Sequence, residues 1–226
     1  MARKNNPEKT KQRIIEISAR LFAEKGYAKT TMQNIVEELG MSKGAIFYHF
    51  ASKEEIVDAV IERYRKFIMT KVKKIADDYS LSTKERVIKI LLSLNMNDID
   101  GVSMVEYLLS PENALIYQRV EIVFFRDITE ILGKVIEKGV EEGIFDTSYP
   151  KESVEFILRR IRAFDLSEMQ NLTIEELELQ IRAVTWGIER ILGCKDGEMS
   201  ELKTAFSNLS KEYTVSEERG KDERTV

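Results

Sequence analysis

Disulfide staples are excluded first: the chain holds one cysteine, Cys194, so no intramolecular pair can form, and a cytosolic setting fits better than a secreted one. Cys194 itself is expected to be a small buried hydrophobe. Three prolines and eleven glycines in 226 residues are too few to punctuate an all-β fold. One histidine beside one cysteine leaves no metal-ligand spacing, and no phosphate-cradling glycine loop is present, so no metal, no cofactor and no enzymatic activity are expected. The first apolar stretch, 14–23, is interrupted by Glu16 and Arg20 and reads as an amphipathic helix rather than a signal peptide. Nothing approaches the roughly 18 uninterrupted apolar residues of a membrane span. A cytoplasmic protein with no membrane partner is the expectation.

What is present is 43% hydrophobic and 33% charged residues, a mixture that suits amphipathic helices and predicts an all-α fold. The formal net charge is −4, but it is unevenly spread. Residues 1–54 carry ten Lys/Arg against six Asp/Glu, or +4, and the remainder carries −8. A small basic module ahead of an acidic body is the distribution of a chain that meets phosphate at one end only.

Helix signals recur along the chain. Asn6-Pro7-Glu8 has the form of an N-cap with proline at the first helical position, Ile14, Ile17, Leu21 and Phe22 follow at helical spacing, and Gly26 supplies a stop. Thr30-x-x-Gln33 fits a capping box for a second helix of about two turns, whose apolar face is Ile35, Val36 and Leu39 and whose stop is Gly40. Ser42 caps a third short helix through His49, and Ser52-x-x-Glu55 opens a long helix to about Tyr79. Further helices are predicted over 83–96, 99–109, 112–142, 151–169, 173–193 and, more weakly, 198–213. Residues 214–226 are polar and aperiodic and are expected to be a disordered tail. The expected division is 1–54 as a helix-turn-helix domain and 55–213 as a helical ligand-binding and dimerisation domain.

Two short helices joined by a tight glycine turn place the second helix in the major groove of DNA. That second helix begins Lys43-Gly44-Ala45: the small residues allow close approach, and Lys43 offers a donor to a guanine edge or a phosphate. Thr30, Thr31, Ser42 and Ser52 can each be explained as caps alone. Ile35, Ile46 and Phe50 are expected to form the small core of this module.

The run Thr30-Thr31-Met32-Gln33-Asn34-Ile35, then Leu39 through Phe50, then Ser52-Lys53-Glu54-Glu55-Ile56, resembles the DNA-binding domain of the TetR family of repressors over roughly residues 10–60. The resemblance implies an all-α homodimer whose front domain binds a palindromic double-stranded operator and whose back domain holds a small-molecule inducer. Position by position, it implies that Thr31 contacts phosphate, that Gln33 and Lys43 reach bases, and that Tyr48, His49 and Lys53 hold phosphates. The family usually has tyrosine where this chain has Phe47, so Phe47 is either a packing residue or a contact to a thymine methyl.

Behind the front module, the segment 95–125 is rich in apolar and aromatic residues, including Met96, Met104, Tyr107, Tyr117, Phe124 and Phe125. Such stripes are usually core, yet ligand pockets are also apolar with few polar groups. The resemblance favours a pocket here for a largely apolar effector, with Tyr107, Tyr117 and Gln118 as polar handles and Trp186 closing the far side. The apolar positions Val154, Ile157, Leu158 and Ile161, with Leu177, Ile181, Val184, Ile188 and Ile191, form a pair of stripes suited to a two-fold partner. The alternative is a structural DNA-binding protein of the same fold with no inducer, which a ligandable pocket would distinguish.

Overall fold

The computed structural model describes residues 6–94, 114–162 and 172–207, and among these every regular element is a helix. In chain order they are α1 (Pro7–Lys25), α2 (Met32–Leu39), α3 (Lys43–Phe47), α4 (Lys53–Ala76), α5 (Thr83–Ser93), α6 (Ala114–Glu141), α7 (Pro150–Arg162), α8 (Ile174–Leu192) and α9 (200–207). The predicted helix at 99–109 and the expected tail from 214 lie outside the described residues. No described helix is long and apolar enough to cross a membrane.

The chain divides into two compact units, 1–70 with 95–124 and 71–94 with 125–226. In the first, α1, α2, α3 and the start of α4 converge on one core of Ile14, Leu21, Phe22, Ile35, Ile46, Phe50, Ile56 and Val60, among others. Burying each such side chain contributes about 1.5–3 kcal/mol, which is what holds helices as short as α2 and α3 in place. Ile35, Ile46 and Phe50 are thus core residues, as expected from their spacing.

Helix α3 stops at Phe47 rather than His49, and two further helix ends differ from the sequence reading. The α2 capping box is Thr31 with Asn34, not Thr30 with Gln33. The Thr30 hydroxyl is buried and donates to the Leu21 and Gly26 carbonyls at the end of α1, at 3.2 and 2.8 Å, so the next residue takes the cap. Helix α4 stops at Ala76 rather than near Tyr79. Asp78 turns the chain by accepting the Ser80 N–H at 3.1 Å, and Arg86 donates to the Ala76 carbonyl at 3.1 Å, closing the helix end.

In the second unit α7 and α8 pack together. Val154, Ile157 and Leu158, with Leu177, Ile181, Val184 and Ile188, are buried within the single chain. The sequence reading suited this stripe to a two-fold partner; most of it packs within the chain instead, Ile161 and Ile191 are half-buried, and the opposite side of each helix leaves Phe156, Leu179 and Trp186 exposed. Helix α8 ends at Gly193 with φ 67°, where a side chain would collide with the Asp146 backbone as Asp146 N–H bonds the Leu192 carbonyl at 2.9 Å. Cys194 is buried beside this cap, and burial pushes its thiol up to about 11.

Candidate nucleic-acid interface

Gly40 ends α2 in the left-handed region, φ 60° and ψ 32°, with its N–H on the Glu37 and Val36 carbonyls. Met41 N–H reaches back to the Val36 carbonyl at 3.3 Å, completing the Schellman pattern that reverses the chain in two residues. Ser42 then caps α3 by accepting the Ala45 N–H at 3.2 Å. The strand of cause runs from one glycine, through a turn too short to wander, to a second helix whose orientation is fixed by Ile46 and Phe50 in the core.

That anchoring decides which side chains of α3 face outward. Lys43 and Gly44 are exposed, Ala45 is half-buried, Phe47 is 40% exposed and Tyr48 is 79% exposed. Nothing lies within 4 Å of the point where a Gly44 side chain would begin, so this side of the helix is open. The Lys43 ammonium stands 5.5 Å from the Phe47 ring centroid. Tyr48 and the half-buried His49 meet edge to face at 5.1 Å, which orients the tyrosine without consuming its hydroxyl.

On α2, Thr31 is exposed at the N-cap, where its oxygen accepts the Asn34 N–H at 3.1 Å and its hydroxyl donates to the Asn34 side chain at 3.0 Å. Gln33 is exposed and donates to Glu37 at 2.9 Å along the helix. Arg20 bridges α1 and α2 by pairing with Glu38, while also reaching Glu24. Thr31, Gln33, Lys43, Gly44, Phe47 and Tyr48 are therefore all presented to solvent in one unit around a rigid turn.

Lys53, which the resemblance implies as a phosphate contact, is engaged within the chain. Its ammonium donates to the Tyr27 carbonyl at 2.8 Å and the Thr30 carbonyl at 2.9 Å, and lies 3.9 Å over the Tyr27 ring. Burial draws its pKa below the usual lysine value. The Tyr27 hydroxyl in turn donates to Glu54 at 3.0 Å. Glu54 is held below the usual carboxylate range by its own backbone N–H and by that hydroxyl. Lys53, Glu54 and Tyr27 thus fasten the start of α4 to the loop that delivers Thr31. The sequence reading missed this clamp, because a carbonyl pair 23 and 26 residues away leaves no local signature.

For the effector region, Met96, Met104 and Tyr107 lie outside the described residues, as do the side chains of Tyr117 and Gln118 on α6. Phe124 and Phe125 are each half-buried on α6, and Trp186 is 59% exposed on α8. A residue that the sequence reading did not assign to a site stands out on α4: the Tyr64 hydroxyl is shut off from solvent and has no hydrogen-bond partner among the described residues. Burial raises its phenol well above the ordinary value. A tyrosine at an otherwise apolar helix position was the available signal. Among the described residues no cluster of His, Cys, Asp and Glu could hold a metal ion.

Residues 14–60 match the model of bacterial regulatory proteins of the tetR family, and residues 95–185 match a tetracyclin repressor-like C-terminal domain. The chain is 31% identical over 187 residues to the uncharacterized HTH-type transcriptional regulator YerO of Bacillus subtilis, which covers 74% of this chain and 63% of that protein. It is 25% identical over 169 residues to the HTH-type transcriptional repressor KstR2 of Mycobacterium tuberculosis, covering 66% of this chain and 74% of the repressor. A regulator from Saccharomonospora viridis, crystallised in complex with choline, shares the fold with a TM-score of 0.54 at 19% identity, over 90% of this chain and 96% of that one.

Proposed function

The chain belongs to the TetR family of bacterial regulatory proteins, which are helix-turn-helix transcriptional regulators and not enzymes, and from that premise we propose that it is a dimeric, cytoplasmic repressor that binds a palindromic operator and is released by a small, largely apolar ligand. The observation that carries the reading is α3: five residues long, anchored by Ile46, and turning Lys43, Phe47 and Tyr48 outward from a glycine-fixed turn. Thr31, Tyr48 and His49 hold phosphates and set register, whereas Gln33 and Lys43 reach base edges, with Gly44 and Ala45 allowing close approach. Lys53 acts through the loop it holds, which delivers Thr31 to the backbone.

Dimerisation is supported by large apolar side chains left exposed on two helices, Phe156 on α7 and, two turns apart on one side of α8, Leu179 and Trp186. Large apolar side chains exposed together favour a protein interface, and a two-fold pair matches two half-sites about 34–36 Å apart. KstR2, a repressor, supports the sign of regulation at the level of a relative.

Release by a ligand is supported by Tyr64. A buried hydroxyl without a partner costs about 1–3 kcal/mol, a deficit that a bound polar group would remove. Tyr64 stands eleven residues from Lys53 on the unbroken helix α4, or about 16 Å along its axis. One helix therefore carries both the orphan hydroxyl and the clamp on the DNA-facing loop, and a ligand bonded to Tyr64 would move that loop. Emptying a nearly full operator requires the ligand to favour the released state by about 10⁴-fold, roughly 5.5 kcal/mol. The S. viridis regulator bound to choline supports a small-molecule effector on this fold.

The test is selection from random duplexes with the full chain. The expected result is an enriched inverted repeat whose half-sites lose cooperative binding when about five base pairs, half a turn, are inserted between them. Absence of any enriched sequence would overturn the reading.

A further inference from the structure

Phe47 is an unusual residue to leave outward on a helix that meets DNA. The core takes Ile46 and Phe50 from this segment and leaves the Phe47 ring 40% exposed, with no donor or acceptor to offer. In the major groove one base alone presents an apolar group, the C5 methyl of thymine. Every other base edge there is a donor or acceptor that a bare ring would leave unpaired.

One turn earlier on the same face stands Lys43, its ammonium held 5.5 Å from the centre of the Phe47 ring by attraction to the π face. Residues four apart on a helix are separated by about 6 Å along its axis, against about 3.4 Å per base step. The ammonium therefore falls one or two base pairs from whatever the ring touches, and the acceptors it meets best in the major groove are guanine O6 and N7.

We propose that Lys43 and Phe47 form one composite reader, in which Phe47 recognises a thymine by its methyl group and fixes Lys43 on a guanine within two base pairs of it. This rests on the reading of α3 as the base-contacting helix. It makes Phe47 a specificity-determining residue and gives the operator half-site a required methyl.

The experiment uses the full chain and its selected duplex, with single thymines replaced by uracil, which deletes the methyl and nothing else. One thymine per half-site is expected to weaken wild-type binding about fourfold when replaced, the worth of one buried methyl group. Phe47→Ala and Phe47→Gln should bind more weakly and be indifferent to that replacement. Because Phe47 lies outside the core, both variants should match the wild-type thermal melt; the second covers the case in which the first fails to. A guanine within two base pairs, replaced by 7-deazaguanine, should weaken wild type and leave Lys43→Ala unaffected. Wild type indifferent to every uracil, a uracil effect that persists in both Phe47 variants, or a deazaguanine effect lying elsewhere would each overturn the proposal. Failure of the underlying reading is seen separately, as no selected duplex at all.

Discussion

Replacing Lys53 by methionine keeps the aliphatic stem and removes the ammonium from between the Tyr27 and Thr30 carbonyls. Each of these hydrogen bonds, half-buried and charged on the donor side, is worth about 1 kcal/mol net. The ammonium over the Tyr27 ring adds about 0.5–1 kcal/mol. The total of about 2.5–3 kcal/mol is a substantial part of the 5–15 kcal/mol that holds a typical domain together. At an m-value of about 2 kcal/mol per molar, the urea midpoint of the first unit should fall by about 1 M. The decisive readout is the salt dependence of DNA binding. If Lys53 were a phosphate contact, removing it from both protomers would flatten the slope of log K against log salt by about 1.8. If it is a clamp, affinity drops while the slope stays as in wild type. A flattened slope with an unchanged urea midpoint would refute the clamp.

Tyr64→Phe removes an orphaned hydroxyl and should leave the fold as stable or up to about 1 kcal/mol more stable by thermal denaturation, while weakening release of the operator by the effector; a marked loss of stability would mean the hydroxyl has a partner in solution. Trp186 is the sole tryptophan, so its emission should shift to the red as the dimer is diluted, and Trp186→Glu should run as a monomer in light scattering. Cys194, with its thiol pushed up to about 11, should resist alkylation in the native protein at pH 8 and react readily in denaturant. The sign follows: burial favours the protonated thiol, so its stabilisation is full below the unfolded pKa near 9 and is lost as pH rises towards 11.

Elements whose signal is local were legible in the sequence. Asn6-Pro7 caps α1, Ser82-x-x-Glu85 forms a capping box on α5, and α6 at Ala114–Glu141 lies within the predicted 112–142. The α3 face was readable because a glycine turn and a four-residue core spacing determine it. Positions that depend on contacts remote in sequence were not. Thr30 and Thr31 are equally good caps until α1 claims the Thr30 hydroxyl. The apolar stripes of α7 and α8 cannot announce whether their partner is another helix of the same chain or of a second one. Lys53 resembles any exposed lysine at a helix start until Tyr27 is folded beneath it.

The central claim, that α3 reads bases, is tested most directly by titrating wild type and Lys43→Ala against the selected duplex and a scrambled one of equal length and salt. Loss of about 1–3 kcal/mol per half-site on the selected duplex, with little change on the scrambled one beyond a single charge contact, is the predicted result. Equal loss on both would show that Lys43 holds phosphate only, and that α3 does not read sequence through it.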